Sequence, residues 1–446
     1  MVAAEHMGVH RPGGASPSLS PPTASKGWSP AKRTGERGKV GAVRRVAIAA
    51  AIGLLVLLST GCGQAATLTG VATTEHLGGV GTTVPPTIGP TTTTTPPKIT
   101  GFLAQSASFV TADDGFVLGI VACPKRRCLT LHHTADRGAR WTSDPAPPTT
   151  LDTGGTTGVS ELHFADAHDG WAYGATVWAT HDGARKWHVV KLPGRVVAMA
   201  SGAGEAYALV EPCEWTPCYT PGHLYRSPVG HDSWTEVPGV SDRYDLGEVS
   251  LVAEGRSVFV LGGYPKPEIL GSSDGIGFAP LTDPCPAATP GEAVNPSPAS
   301  LAASGPSDVA VACLGGVAAG NQTKLAYVSH DGGHTYQSLP EPPTGGDGAE
   351  LAMPAPTTLL LGAASGATLV YRIASPDASW TTPFFVPGGI DVADLAFVDP
   401  AHGAFVYGPA SVALSMLGLS NPPSGLGALF LSDDGGAHWH RVPIPG

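Results

Sequence analysis

The chain has 446 residues, with 60 glycines, 43 prolines and only 14% charged side chains. That length has room for two or three ordinary domains or one large repeat domain, and so many turn formers leave little surface helix. The formal net charge is −11, which argues against nucleic acid as a partner because phosphate would be repelled.

Charge is unevenly spread. Residues 1–61 carry eight Lys/Arg against Glu5 and Glu36, leaving a formal −17 on residues 62–446. Arg44-Arg45 directly precede the apolar run VAIAAAIGLLVLL (46–58), followed by STGC. Thirteen apolar residues are short for a bilayer span and suit the apolar region of an export signal. Ending on Gly61-Cys62, the segment resembles a bacterial lipoprotein signal, although Ser59 stands where Leu is commoner. That resemblance implies cleavage before Cys62 and lipid on its thiol. An ordinary secretory signal or an anchor helix are the alternatives.

Residues 62–98 contain TTVPPTIGPTTTTTPPK and cannot build a core. They read as an extended Thr/Pro linker holding a domain away from the membrane. The domain itself is expected over 99–446.

Six cysteines follow Cys62: Cys123, Cys128, Cys213, Cys218, Cys285 and Cys313. An even number in an exported chain suggests three disulfides. CPKRRC and CEWTPC share one spacing and each suits a bridge across a loop, which leaves Cys285 with Cys313. Zinc is the alternative for such pairs, but it prefers ligand pairs of a matching, closer spacing.

A short turn recurs along the domain: Ser/Thr-x-Asp-x-Gly, then an aromatic three residues later. Thr134, Asp136, Gly138 and Trp141 form one copy. Ser329, Asp331, Gly333 and Tyr336 form another, and Ser432, Asp434, Gly436 and Trp439 a third. Thr180, Asp182 and Trp187 make a copy with Ala184 in place of Gly. Worn copies run from Ser227 to Trp234, from Ser272 through Asp274 to Phe278, and from Ser375 to Trp380. Successive starts are 46, 47, 45, 57, 46 and 57 residues apart. Seven units near fifty residues fit an all-β, seven-bladed propeller. ELHFADAHDGWAYG (161–174) parallels SASFVTADDGFVLG (106–119) and DLAFVDPAHGAFVYG (394–408). Each reads as two short strands around an Asp-bearing turn, giving four strands per unit and no amphipathic helix.

The turn resembles the Asp box, or BNR repeat, of sialidase-like propellers. The full unit is most similar to propellers of the photosystem II assembly and stability factor family, over about three quarters of the chain. In the turn itself, Asp accepts its own backbone N–H groups, Gly takes angles a side chain forbids, and the aromatic fills the gap to the next strand. These residues are therefore structural.

No catalytic residue, metal ligand or cofactor is expected. Sialidase-like propellers hold their acidic substrate with arginines on the innermost strands, and the seven first strands, as aligned, carry none. GSSDG (271–275) matches a nucleophile elbow only formally, since it overlaps the fourth turn. His330 and His334 flank a Gly-Gly turn instead of sharing a helix face. One pattern remains: Glu161, Glu248, Glu350 and Asp394 occupy equivalent positions at the entrance of four first strands. They make a candidate binding rim around the central channel, for a basic segment, a cation or a polyhydroxylated ligand. Trp215, inside the Cys213–Cys218 loop, is the one aromatic to watch on that face, with simple loop packing as the alternative. The expectation is a monomeric envelope lipoprotein on the outer face of a bacterial membrane that binds or scaffolds a protein partner. The alternative is a carbohydrate-binding or glycoside-hydrolysing protein.

Overall fold

A computed structural model of the chain describes residues 101–123, 127–212, 222–240, 249–263, 267–286, 296–416 and 424–446. Cys62, Cys213, Cys218, Trp215 and Glu248 lie outside them, as do residues 1–100.

Seven four-stranded antiparallel sheets follow one another along the chain. They span 103–144, 161–190, 195–236, 250–280, 297–338, 347–387 and 392–442. Within each sheet the strands pair in sequence order, so every blade of this seven-bladed propeller is one contiguous segment. The last blade, too, supplies all four of its strands, ending with His440–Val442. Among the described residues, no strand is exchanged across the seam between the seventh and first blades.

The core is divided accordingly. Seven clusters of buried apolar side chains occur, and each joins two neighbouring blades. Phe116, Leu118 and Leu131 of the first blade meet Leu162 and Phe164 of the second. Ala104 and Val117 of the first meet Val406, Leu429, Leu431 and Val442 of the seventh. The second strands are the most deeply buried elements: GWAY (170–173), SVFVLG (257–262) and GAFVY (403–407) have no exposed residue. Continuous apolar runs suit such strands, which are covered on both faces by adjacent blades.

The recurring turn closes the third strand of a blade. Thr134 Oγ1 donates to Asp136 Oδ1 (3.0 Å) and accepts the Gly138 N–H (2.8 Å). Ser329 and Asp331 (2.8 Å), and Ser432 and Asp434 (3.0 Å), repeat the pattern. Ser272 and Asp274, in a copy that looks worn in sequence, form the same bond at 2.9 Å. The glycine is required twice over. Gly436 has φ +79°, and a Cβ there would stand 2.3 Å from Leu360 of the preceding blade. Ala184 holds the equivalent place at φ 65° and is fully buried among first-blade side chains. The aromatic spans the same junction: Trp187 Nε1 donates to Pro145 O and Trp380 Nε1 to Pro340 O, both at 2.7 Å.

Three sequence expectations meet a clear outcome here. Cys123 pairs with Cys128 and Cys285 with Cys313. A helix does occur, Ala410–Ser415. It lies in the connection between the second and third strands of blade 7, and accounts for the longer 57-residue spacing that precedes Ser432. Finally, a first strand does carry an arginine. The first strand of blade 3, Arg195–Gly202, begins one residue earlier than its apolar pattern. Its guanidinium is held by the buried carboxylate of Asp152 and by Gly155 O.

Candidate functional site

The inner strands surround the central channel, and their backbones are joined across blade junctions by side chains. Ser106 Oγ accepts the Leu162 N–H of the next blade (2.9 Å). Ser250 Oγ accepts from Leu301 and Ser300 Oγ from Leu351, both at 3.3 Å. Glu350 Oε1 does the same for Leu395 (2.9 Å), and Asp394 Oδ2 for Ala107 (2.7 Å) across the seam. Inner strands have a free edge, and an unpaired buried N–H is costly, so an acceptor from the neighbouring blade is favoured there, and five junctions have one. A neutral serine meets that need at three junctions. At two others a carboxyl group stands in its place.

These acids are set deeper than a rim. Glu161, Glu350 and Asp394 come from blades 2, 6 and 7, yet they act on one another electrostatically. Burial pushes the Glu161 carboxyl well up, and Asp394 and then Glu350 push it further, while the Ser106 hydroxyl opposes them. Burial followed by the Asp394 charge raises Glu350 to about 8. Burial raises Asp394 to about 6, against the pull of the Ala107 N–H and Ser106. Burial also raises Asp391 nearby. Like charges in a poorly solvated space disfavour ionisation, so the cluster retains protons that isolated carboxylates would release. Asp394 sits in a left-handed conformation, φ 56°, at a bulge in its strand. For a non-glycine residue that geometry persists only where the surroundings impose it.

Glu350, Asp391 and Asp347 line a cavity of about 630 Å³ at one mouth of the channel. The other lining residues include Leu251, Leu301, Leu351, Ile390 and Val392. Among the described residues no Trp, Tyr or Phe contributes to this lining, which is acidic and aliphatic.

A second cluster escaped the sequence reading. His181, His188 and Asp232 bring three metal-ligating atoms within 4.8 Å of one another, on the outside of blades 2 and 3. His181 is the unspecified residue of the second turn, and Asp232 belongs to the worn third turn, which lacks its usual Asp. The displaced Asp was the only trace of this cluster in the sequence.

No family model matches the chain, and no curated protein matches it in sequence. Among solved structures it is similar to YCF48 bound to a D1 peptide, at 16% identity and a TM-score of 0.46. The match covers 68% of this chain and 88% of that one. YCF48 from Cyanidioschyzon merolae matches at 14% identity and a TM-score of 0.45, over 69% of this chain and 94% of its own. The propeller domain of the Trilobed protease from Pyrococcus furiosus matches at 7% identity and a TM-score of 0.45, over 78% and 97%.

Proposed function

We propose that this chain is a binding or assembly-scaffold module of the cell envelope, held to the outer face of a bacterial membrane by lipid on Cys62. The Thr/Pro segment 62–98 would project the propeller, with Cys213–Cys218 as its third disulfide. We read the seven turns as Asp boxes with a structural role only. The binding face is the channel mouth, and its occupant is a basic segment of a protein partner.

One observation carries this reading. Serine supplies the junction bond at blades 1, 4 and 5, whereas Glu350 and Asp394 supply it at blades 6 and 7 with an ionisable group in a poorly solvated place. The bond alone does not call for a carboxyl. A cationic side chain entering the mouth would be the counter-charge that these groups lack. It would draw protons off them, so binding strengthens as pH rises from about 6 toward about 8, the range of the Asp394 and Glu350 carboxyls. The aliphatic and acidic lining of the described residues supports a basic peptide as the occupant.

The test is in-cell crosslinking followed by mass spectrometry of the captured proteins. Wild type is compared with a variant in which Glu161, Glu248 and Glu350 become Gln and Asp394 becomes Asn. A specific envelope protein lost in the variant supports the reading; an unchanged set of partners ends it. Cys62→Ala should abolish incorporation of labelled fatty acid and membrane retention.

A further inference from the structure

The outer edges of blades 2 and 3 hold an arrangement that neither blade's fold requires. Ala179 and His188 are paired across the third and fourth strands of blade 2. His181, two residues beyond Ala179, therefore emerges on the same side as His188. The two imidazole centres lie 5.3 Å apart. The backbone at His181 is fixed by its turn, in which Thr180 donates to Asp182 (3.1 Å) and Asp182 accepts the Lys186 N–H (2.9 Å).

Asp232 reaches across from blade 3. Its Oδ2 meets His181 Nε2 at 3.1 Å and also contacts His188 Nε2. On the far side of His181, Asp169 Oδ1 lies 2.7 Å from Nδ1. Asp169 thus fixes the ring so that Nε2 faces Asp232, as outer-shell carboxylates orient metal-binding histidines. Both ring nitrogens of His181 therefore lie within hydrogen-bonding reach of carboxylate oxygens.

We propose that His181, His188 and Asp232 form a binding site for a divalent transition ion of the zinc class that clips blade 2 to blade 3. Two imidazole nitrogens and one carboxylate oxygen match the ligand set of open zinc sites, which keep one position for water. Ligand atoms about 2.0–2.2 Å from an ion stand roughly 3.3 Å from one another in a tetrahedral site. The 3.1 Å separation of His181 Nε2 and Asp232 Oδ2 is already close to that. Nitrogen ligands exclude calcium and magnesium, which take oxygen. The site is independent of the channel acids.

The experiment is calorimetric titration of the full chain with Zn²⁺, Co²⁺ and Ca²⁺, with thermal unfolding and visible absorption of the Co²⁺ form read in parallel. Expected are a Zn²⁺ site removed by His188→Ala or Asp232→Asn, a rise in Tm on binding, and no matching Ca²⁺ site. The Co²⁺ form should show tetrahedral absorption. Asp169→Asn should weaken Zn²⁺ binding by about 10- to 100-fold without abolishing it. His188 is half exposed, so His188→Ala should keep its fold, checked by circular dichroism, and His188→Gln is the second variant. His438→Ala, in the exposed His438–Asp434 pair of blade 7, should change nothing. Absence of the site in wild type, or Zn²⁺ binding undiminished in both His188 variants and in Asp232→Asn, overturns the proposal.

Discussion

Asp331 and Glu350 belong to neighbouring blades and both accept backbone N–H bonds, yet their carboxyls are driven in opposite directions. Asp331 is exposed at its turn, where the Thr335 hydroxyl and N–H, the Ser329 hydroxyl and the His334 N–H stabilise its ionised form and hold it far below the usual carboxylate range. Asp274 is held low by the Gly277 and Ile276 N–H groups, and Asp136 by Arg140. At Glu350, burial and the neighbouring Asp394 and Asp391 charges outweigh the Leu395 and Asp394 N–H groups, and the carboxyl is pushed up. Several donors at the surface make an acid a permanent anion and a structural part. In the channel, burial and like charges outweigh the few donors and leave an acid that still has a proton to exchange.

The largest expected effect separates the two sets by pH. The folded pKa of Glu350 lies above its unfolded value, so the folded state holds the extra proton between about pH 4.5 and about 8. Stability should therefore fall as pH rises through that window. Water in the channel reduces the size of this effect, which remains on the order of a few kcal/mol. Glu350→Gln keeps the acceptor for Leu395 and should flatten the alkaline slope in urea titrations. Asp136, Asp274 and Asp331 have depressed values, so their contribution is present above about 3.8 and lost as pH falls below it. A stability maximum in mildly acidic solution is expected, and a flat profile from pH 5 to 8 would refute the account of the channel.

The turn side is sharpened by Gly436→Ala. The substitution combines a left-handed backbone with a 2.3 Å approach to Leu360, and should lower stability by about 2 kcal/mol, seen as a shifted urea midpoint at constant slope. Asp394→Asn should raise stability at pH 8 by on the order of 1 kcal/mol, because Asn keeps the acceptor, tolerates positive φ and carries no charge. Ser300→Ala should cost about 1 kcal/mol by leaving the Leu351 N–H without its partner. Ala184→Gly should be smallest, within about 0.5 kcal/mol of wild type. Relief at φ 65° is offset there by the loss of a buried methyl group.

Repetition made the fold legible. Seven copies of the turn, six of them with the Asp, recur at 45- to 57-residue spacing and give the number of blades, and the paired Gly-aromatic strands give the sheet order. Ser272–Asp274 looks worn in sequence because its Gly and Trp are displaced or replaced, whereas the turn is closed by the hydroxyl and the carboxylate. Arg195 was missed because a strand boundary is set by pairing, here with Glu211, which a local pattern does not record. The acids stood out at equivalent positions, but their convergence did not. Glu161 and Asp394 are far apart in sequence, and only ring closure brings their charges together. The His181–His188–Asp232 cluster was hidden for the same reason, with ligands drawn from two blades and one of them a displaced turn residue.

Ring closure has a topological consequence. Across the seam, Arg137 pairs with Asp433, Gln105 accepts the Ser411 N–H and Ala104 donates to Gly427 O. These are contacts of the kind found at other junctions, and Gly446 lies directly against Gly101. Because every blade is one contiguous segment, the ring has no preferred opening. Joining 446 to 101 and cutting between any other two blades would produce a circular permutant with the same seven sheets and the same seven apolar clusters, differing only in which junction lacks a covalent link. The position of the termini would then be a label on the ring and not part of its architecture.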